Sequence, residues 1–541
     1  MIRGSISNIC LGLSSFERMI TEGKLYVDKT RMIENFLNCP TLVQLIARQR
    51  RLGKSMNMDM LGCFLTDKKD MRHLFKGLYI ENSPVWGKAN SAPVFYFDFR
   101  ILTKETYKRT LYYTVCDYID SYCDGVKLSR AAQGYLNNDN FADSAGFMYL
   151  TESVYRSTGK RSYIFIDQYD KLLMDNQNNE YYNEIREFLA GFISSGFKGN
   201  PYLEKGLLTG VLRISHESLL SGLNNIVTYD VFSDDLYTDD YGLTEEEVSE
   251  LGKLAGFDVN EARAWYNGVR VNGKPIYNTY AMMSFLYRGS YDCYWGRSGT
   301  MDLIIDLLNE KRKLTLTTLL SQEPLEVPME KYISLRSLSD KSDDDAFYSL
   351  LVQAGYLSIM ELWATSALVA IPNIELTQVW KRFIIKALYT GVTQVRTLFD
   401  HVNNEAAFSQ DLEYFLSDRL SFHDLAKYSE ENANRAHERA YHLYLLGMLS
   451  AFEDVKCHFP LSNRESGNGR YDIWLERPNM SIIFELKASE TKEDLDKKAQ
   501  QALEQIDTKR YGAQAKPGKK LLKVGIAFCK KLCKVRVNTI G

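Results

Sequence analysis

The order of apolar runs along this chain predicts an α/β protein built from more than one domain. Three observations carry that expectation. Strand-like runs alternate with helix-like stretches through the first half, the pattern changes character after about Tyr280, and a helix–strand–strand–helix–strand series closes the chain. At 541 residues the chain also exceeds what one hydrophobic core usually fills, so two to four domains are expected.

In the first half, TLVQLIA (Thr41–Ala47), APVFYFDF (Ala92–Phe99), SYIFID (Ser162–Asp167) and GLLTGVL (Gly206–Leu212) are apolar with little alternation. Strands of that kind are buried on both faces, as in a largely parallel sheet covered by helices, a three-layer α/β domain. The region after Tyr280 reads as mostly helical, with a strand-like LVAIP (Leu368–Pro372) near its middle. A third unit is expected from about residue 400. It has one long helix in ENANRAHERAYHLYLLGMLSAF, strands in YDIWL (Tyr471–Leu475) and SIIFELK (Ser481–Lys487), a charged helix from about Lys492 to Arg510, and a strand in KVGIAF (Lys523–Phe528). The expected domains are 1–285, 286–399 and 400–541.

Composition sets the class. Apolar residues make up 45% and charged residues 25%, ordinary values for a soluble globular protein. The net charge of −3 gives no global field that would advertise nucleic acid, although Lys487–Arg536 holds fourteen Lys/Arg against six Asp/Glu. A basic count of this kind fits a solvated surface as well as a binding face. The nine cysteines form no CxxC pair, and Cys529 with Cys533 lacks partners for a zinc site. Reduced thiols, no signal-peptide pattern and no run of about 18 apolar residues point to a cytoplasmic protein without a membrane partner.

The stretch ARQRRLGKSMNMDML (Ala47–Leu61) follows the first strand. A strand running through Gly53-Lys54-Ser55 into a helix is the arrangement that cradles phosphate: backbone N–H groups and the helix N-terminus face the anion, Lys54 reaches the terminal phosphates and Ser55 holds Mg2+. Arg48, Arg50, Arg51 and Lys54 crowd the turn and favour a polyphosphate such as ATP; a basic surface loop is the plainer alternative. In SYIFIDQYDKLL, Asp167 ends an apolar strand as a Walker B carboxylate does, where it would order the Mg2+. A buried strand ending in a helix-capping Asp would give the same pattern. The next position usually carries the glutamate that polarises the attacking water. Here it is Gln168, which can hydrogen-bond but cannot take a proton as a base.

Near the C-terminus, Asp472 opens one strand and Glu485 lies on the next. Glu485 and Lys487 are two apart and share a strand face. Converging carboxylates offer hard oxygen ligands for Mg2+ or Mn2+, and an amine alongside can hold a nucleophile or offset developing charge. Exposed strand salt bridges would also explain D-x12-E-x-K. Glu438 and His442, four apart, place one helix face within reach of the same site.

Several stretches, in order, resemble one family: SFERMITEGKLYVDKT, RQRRLGKS, IDQYDKLL, LLTGVLRISHESLLSGLNN, WYNGVRV with PIYN, LVQAGYLSI, IPNIEL, and SNRESGNGRYDIWLERP with FELKA. Together they resemble the AAA-ATPase-like proteins that carry a C-terminal PD-(D/E)XK nuclease domain. The resemblance implies a P-loop-type ATPase-like domain, a helical, winged-helix-like connector and a restriction-endonuclease-like α/β domain. Arg48 agrees with the family pattern RPRRFGKS, whereas Gln49, Leu52 and Gln168 depart from it. By resemblance, Asp472, Glu485 and Lys487 form the catalytic core, Glu438 is a further metal ligand and Gln505 supports the site. Gly53, Lys54, Ser55, Arg51, Asp167 and Gln168 would contact nucleotide or its metal, and Arg213 would act as a sensor arginine unless it simply pairs with an acid. Arg464 and Arg470 are implied phosphate contacts, or neutralise Glu465. The function implied is a metal-dependent nuclease under the control of an ATP-binding domain, with a nucleotide switch or scaffold lacking catalysis as the alternative. Its partners would be ATP and DNA or RNA, with self-association into a homo-oligomer an open option.

Overall fold

The computed structural model describes residues 2–137, 141–214, 225–233, 236–295, 304, 307–320, 324–333, 342–380, 402, 404–419, 442, 445, 449, 458–462, 465–466, 469–477, 479–514, 518–529 and 532–540. Packing divides the chain into two compact units, one of residues 1–300 with 324–376, the other of 301–323 with 377–541. This grouping does not follow chain order: a segment after residue 320 returns to pack with the N-terminal unit.

The N-terminal unit is built on five parallel strands: β1 (Val43–Ala47), β2 (Val94–Asp98), β3 (Ser162–Asp167), β4 (Leu203–Gly210) and β5 (Ile226–Tyr229), in the spatial order β2-β3-β4-β1-β5. All residues of β1 and β3 are buried, as their unbroken apolar runs require. Both faces of the sheet are covered. Tyr163 and Phe165 pack on Phe36 from the helix Arg31–Asn38, while Phe97 packs on Phe147 and Phe192 from helices Gly146–Thr158 and Tyr182–Phe197. The domain is therefore three-layered. The strand β4 starts and ends earlier than Gly206–Leu212, and β5 is additional to the expected strands. Its two middle residues are partly or fully exposed and it lies at the edge of the sheet, so no unbroken apolar run marks it.

Residues 324–376 add a second sheet to this unit. Here β6 (Leu325–Pro328), β7 (Ser358–Leu362) and β8 (Ser366–Ala370) make an antiparallel sheet in the order β6-β8-β7, beside helix Asp344–Gln353. LVAIP therefore sits mainly in a strand, but with two partners that a mostly helical reading leaves out. Leu325–Pro328 is too short, and Ser358–Leu362 too exposed on one side, to stand out as apolar runs.

The C-terminal unit carries a mixed sheet of β9 (His458–Ser462), β10 (Ile473–Glu476), β11 (Met480–Ala488), β12 (Lys520–Cys529) and β13 (Leu532–Ile540), in that spatial order. Only the β11–β12 pair is parallel, and the helix Leu495–Thr508 makes the crossover between them. Leu495, Ala499, Ala502, Leu503 and Ile506 form its buried face, at helical spacing. Gly525 on β12 allows this helix to lie close, since a Cβ there would meet Ala499 O at 2.4 Å and Leu503 N at 2.5 Å. Alternation along β11 sends Ile482, Phe484 and Leu486 into one core and Ile483 into another, on the side of the helix. The long helix expected over 431–452 is described only at His442, Leu445 and Leu449, which are helical and buried.

Candidate functional site

The loop expected to cradle phosphate follows the C-terminal end of β1. Gly53 takes φ 87°, a left-handed conformation open to glycine, and starts the helix Lys54–Leu65 directly. The loop is pinned from several sides. Gly242 N–H donates to Leu52 O at 3.0 Å, and Asn278 Nδ2 and Trp295 Nε1 donate to Arg50 O at 3.2 and 3.1 Å. Lys54 folds back into it, its Nζ donating to Arg48 O and Gln49 O at 2.8 Å each. Burial pulls the Lys54 amine down to about 8, while Asp167 and Asp170 oppose that fall. An incoming polyphosphate would add counter-charge beside this buried amine and favour its ammonium form.

Asp167 is fully buried at the end of β3 and meets the loop directly. Ser55 Oγ donates to its Oδ2 at 2.5 Å, Thr209 Oγ1 donates to its Oδ1 at 2.5 Å, and Tyr96 OH donates to Oδ2 at 3.1 Å. These three hydroxyls come from the helix after β1, from β4 and from β2. Burial, with Asp167 and Asp98 nearby, pushes the Tyr96 phenol well above its usual range, so it remains a donor. Paired Ser and Asp oxygens at this spot fit a hard ion such as Mg2+.

Gln168 follows with φ 55°, an uncommon conformation for a residue with a side chain, and it lines the same cleft. The cleft has a volume of about 820 Å3 and is also bounded by Arg50, Arg51, Lys54 and Ser55, with Leu13, Tyr280 and Met283 as an apolar side. Arg51 lies over the Tyr280 ring at 3.8 Å. Size and lining suit a nucleotide.

Arg213 is elsewhere. It lines a different cleft, its Nη1 bonded to Asp230 Oδ2 at 2.9 Å and Ser233 Oγ at 3.1 Å, and its Nη2 to Tyr332 OH at 2.7 Å. In this arrangement it is a strut tied to an acid, the simpler of the two roles its sequence context allowed. Asp170, Thr209 and Tyr96 escaped sequence reasoning. Asp170 accepts from the N–H groups of Val211 and Leu212 at 2.7 and 2.9 Å, fixing the turn after Asp167. The one signal for Thr209 is a hydroxyl inside an apolar strand.

In the C-terminal unit, Asp472, Glu485, Lys487 and Gln505 come together. Asp472 precedes β10, and its Oδ2 accepts from Leu486 N–H on β11 at 2.7 Å. Glu485 is 2% exposed, and Gln505 from the crossover helix donates to its Oε1. Lys487 Nζ lies 3.6 Å from the same oxygen. His442 Nε2 is 3.0 Å from Asp472 O, which brings one face of the preceding helix to the cluster. Burial raises the Asp472 carboxyl, partly offset by the Leu486 N–H, His442 and Lys487. Tyr511, which no sequence pattern flagged, is 3.4 Å from Gln505 Nε2; burial and the two carboxylates raise its phenol.

Two carboxylates give a donor set that suits Mg2+ or Mn2+. Among the described residues, no group of three or more His, Cys, Asp or Glu side chains is placed to hold a metal ion. Glu438, the expected third ligand, lies outside the described residues, as does Arg464. Glu465 and Arg470 pair in a short antiparallel ladder. The eight described cysteines are free thiols, and no described helix is long and apolar enough to cross a membrane.

Comparison with known proteins matches both regions. Residues 10–220 fit the family described as Predicted AAA-ATPase, and residues 436–537 fit the PD-(D/E)XK nuclease superfamily. A relative named "Uncharacterized protein in vnfD 5'region", from Azotobacter chroococcum mcd 1, is 28% identical over 356 residues, covering 64% of this chain and 63% of its own length. The chain thus spans less than two thirds of that relative. The Walker-type ATPase paby2304 of Pyrococcus abyssi is similar at 15% identity and a TM-score of 0.34, over 65% of this chain and 94% of that one. The chain thus carries a region that matches a predicted AAA-ATPase domain, at residues 10–220, and a C-terminal region that matches the PD-(D/E)XK nuclease superfamily, at residues 436–537.

Proposed function

We propose that this protein is a metal-dependent nuclease that cleaves phosphodiester bonds of DNA or RNA, under the control of a domain that binds ATP. The observation that carries this reading is the meeting of Asp472, Glu485 and Lys487, from two adjacent strands, with Gln505 from the crossover helix. When bound, Mg2+ or Mn2+ supplies Lewis-acid stabilisation of the phosphate oxygens and acidifies a bound water. Asp472 and Glu485 are its ligands in this proposal, with Glu438 as a third. The Leu486 N–H orients Asp472, and the Gln505 amide orients Glu485. Lys487 stands beside Glu485, where its amine can hold the attacking water or neutralise charge on the phosphate.

In the other unit, Gly53 to Ser55 and Arg51 would bind the triphosphate, with Ser55 and Asp167 on its Mg2+. The division at residues 285 and 399, a homo-oligomeric assembly and a cytoplasmic setting belong to the same proposal. The test incubates the purified full-length chain with labelled DNA and RNA, with EDTA, Mg2+ or Mn2+, and with and without ATP. Metal-dependent strand cleavage that ATP modulates is the expected result. No cleavage of any substrate in either metal sinks the proposal.

A second reading, a nucleotide-binding switch without catalysis, is favoured by one observation. Gln168 lines the cleft where a water-polarising glutamate is usual, and a carboxamide takes no proton. ATP binding without turnover and without strand cleavage would select it.

A further inference from the structure

With Arg213 tied to Asp230, the cleft needs another group to meet the outermost phosphate of a bound triphosphate. The sheet order narrows the search. Gly53–Ser55 follow β1, Asp167 ends β3, and β2 lies one strand beyond β3, farther from the loop. Asp98 on β2 pairs in register with Asp167, and Arg100 comes two residues later, among the residues that line the cleft with Gln168 and Lys171. A triphosphate seated on the loop and running past Asp167 therefore ends at Arg100.

Four other cations that line the cleft are committed. Lys29 Nζ is 2.6 Å from Glu247, Arg51 stacks on Tyr280, Lys54 serves the loop and Lys171 is paired with Asp175. Arg100 is also paired, but in a way that orients it. Its Nε bonds Asp98 Oδ1 and Oδ2 at 2.8 and 2.9 Å, and its Nη2 bonds Oδ2 at 2.6 Å. This grip fixes the guanidinium plane with two of its nitrogens and leaves Nη1 without a partner among the described residues. A planar fork held on one edge is a preorganised donor for phosphate on the other.

We propose that Arg100 is a phosphate-binding residue that distinguishes nucleoside triphosphate from diphosphate, with Asp98 as its positioning residue. The proposal rests on the assignment of this cleft as a nucleotide site. The experiment titrates full-length protein with Mg·ATP and Mg·ADP by calorimetry, for wild type, Arg100→Ala, Arg100→Lys, Lys171→Ala and Lys54→Ala. Arg100→Ala should raise the Kd for ATP about tenfold, the size of one charge-assisted hydrogen bond, and leave that for ADP within about twofold. Arg100→Lys should fall between, because it keeps the charge and loses the fork. Lys54→Ala should weaken both nucleotides. If wild type binds neither, the nucleotide-site assignment fails and takes this proposal with it. If wild type binds both and Arg100→Ala leaves the ATP-to-ADP ratio unchanged, or Lys171→Ala changes it instead, only the role of Arg100 is overturned.

Discussion

The two sites of this chain differ in what each has kept. The phosphate cleft keeps its scaffold almost intact: Gly53 starts the helix, Lys54 is buried in the loop, and Asp167 takes bonds from Ser55, Thr209 and Tyr96. Of its three departures from the resembled pattern, Gln49, Leu52 and Gln168, the last falls next to Asp167, where proton transfer would begin. At the carboxylate–lysine cluster, each expected core group that is described stands with its neighbours, and no chemistry-bearing residue is replaced. In the function proposed here, holding a ligand and transforming it are separable: the N-terminal unit is assigned the first, the C-terminal unit both.

The sharpest break of that contrast is at the cluster. Asp472→Asn removes one of two carboxylates while keeping shape and hydrogen-bond capacity, and should lower strand cleavage by about a thousandfold or more, with ATP affinity unchanged. Equal cleavage by the variant, measured on a labelled substrate, would show that the two sites do not divide the work as described.

Lys54 makes the next test. Its amine is lowered to about 8 by burial, whereas a bound triphosphate favours the ammonium form. Above about pH 8 binding must therefore take up a proton, and the Kd for ATP should rise by up to about tenfold per pH unit; below pH 8 it should level off. Calorimetry in buffers of different ionisation enthalpy reads this uptake directly. A pH-independent Kd would mean that Lys54 does not meet the phosphates.

A gain of function is expected from Gln168→Glu. Restoring a carboxylate beside Asp167 should raise ATP turnover about tenfold to a hundredfold, seen as phosphate release, with little change in ATP binding. If turnover is unmoved, the difference between the two sites lies in something other than this base. The smallest effect expected is structural. Gly525→Ala places a methyl group against the backbone of Ala499 and Leu503 and should cost about 2 kcal/mol, read as a lower melting temperature. Gly525 pairs with Glu485, and the displaced helix carries Gln505, so cleavage should fall as well while ATP binding holds.

What the sequence made legible follows from where information is local. Val43–Ala47 and Ser162–Asp167 were readable because burial on both faces leaves an unbroken apolar run. The strands β5 and β13 were not, because their alternation of Val with Thr, Lys, Arg and Asn looks like surface chain until a neighbouring strand is known. Gly53, Lys54, Ser55 and Asp167 stood out because each sits within a short motif. Thr209 and Tyr96 reach Asp167, and Arg100 reaches the cleft, only through sheet order, which no motif states. Arg213 shows the converse: a motif-borne expectation that the fold answers with Asp230.

The proposed nuclease chemistry needs Lys487 beside Asp472 and Glu485, the carboxylates assigned to the metal. Its most direct test compares full-length wild type with Lys487→Ala for cleavage of labelled DNA and RNA in Mn2+, alongside ATP affinity as a control for folding. The variant should retain ATP binding and lose cleavage by at least about a hundredfold. Undiminished cleavage by Lys487→Ala would contradict the assignment.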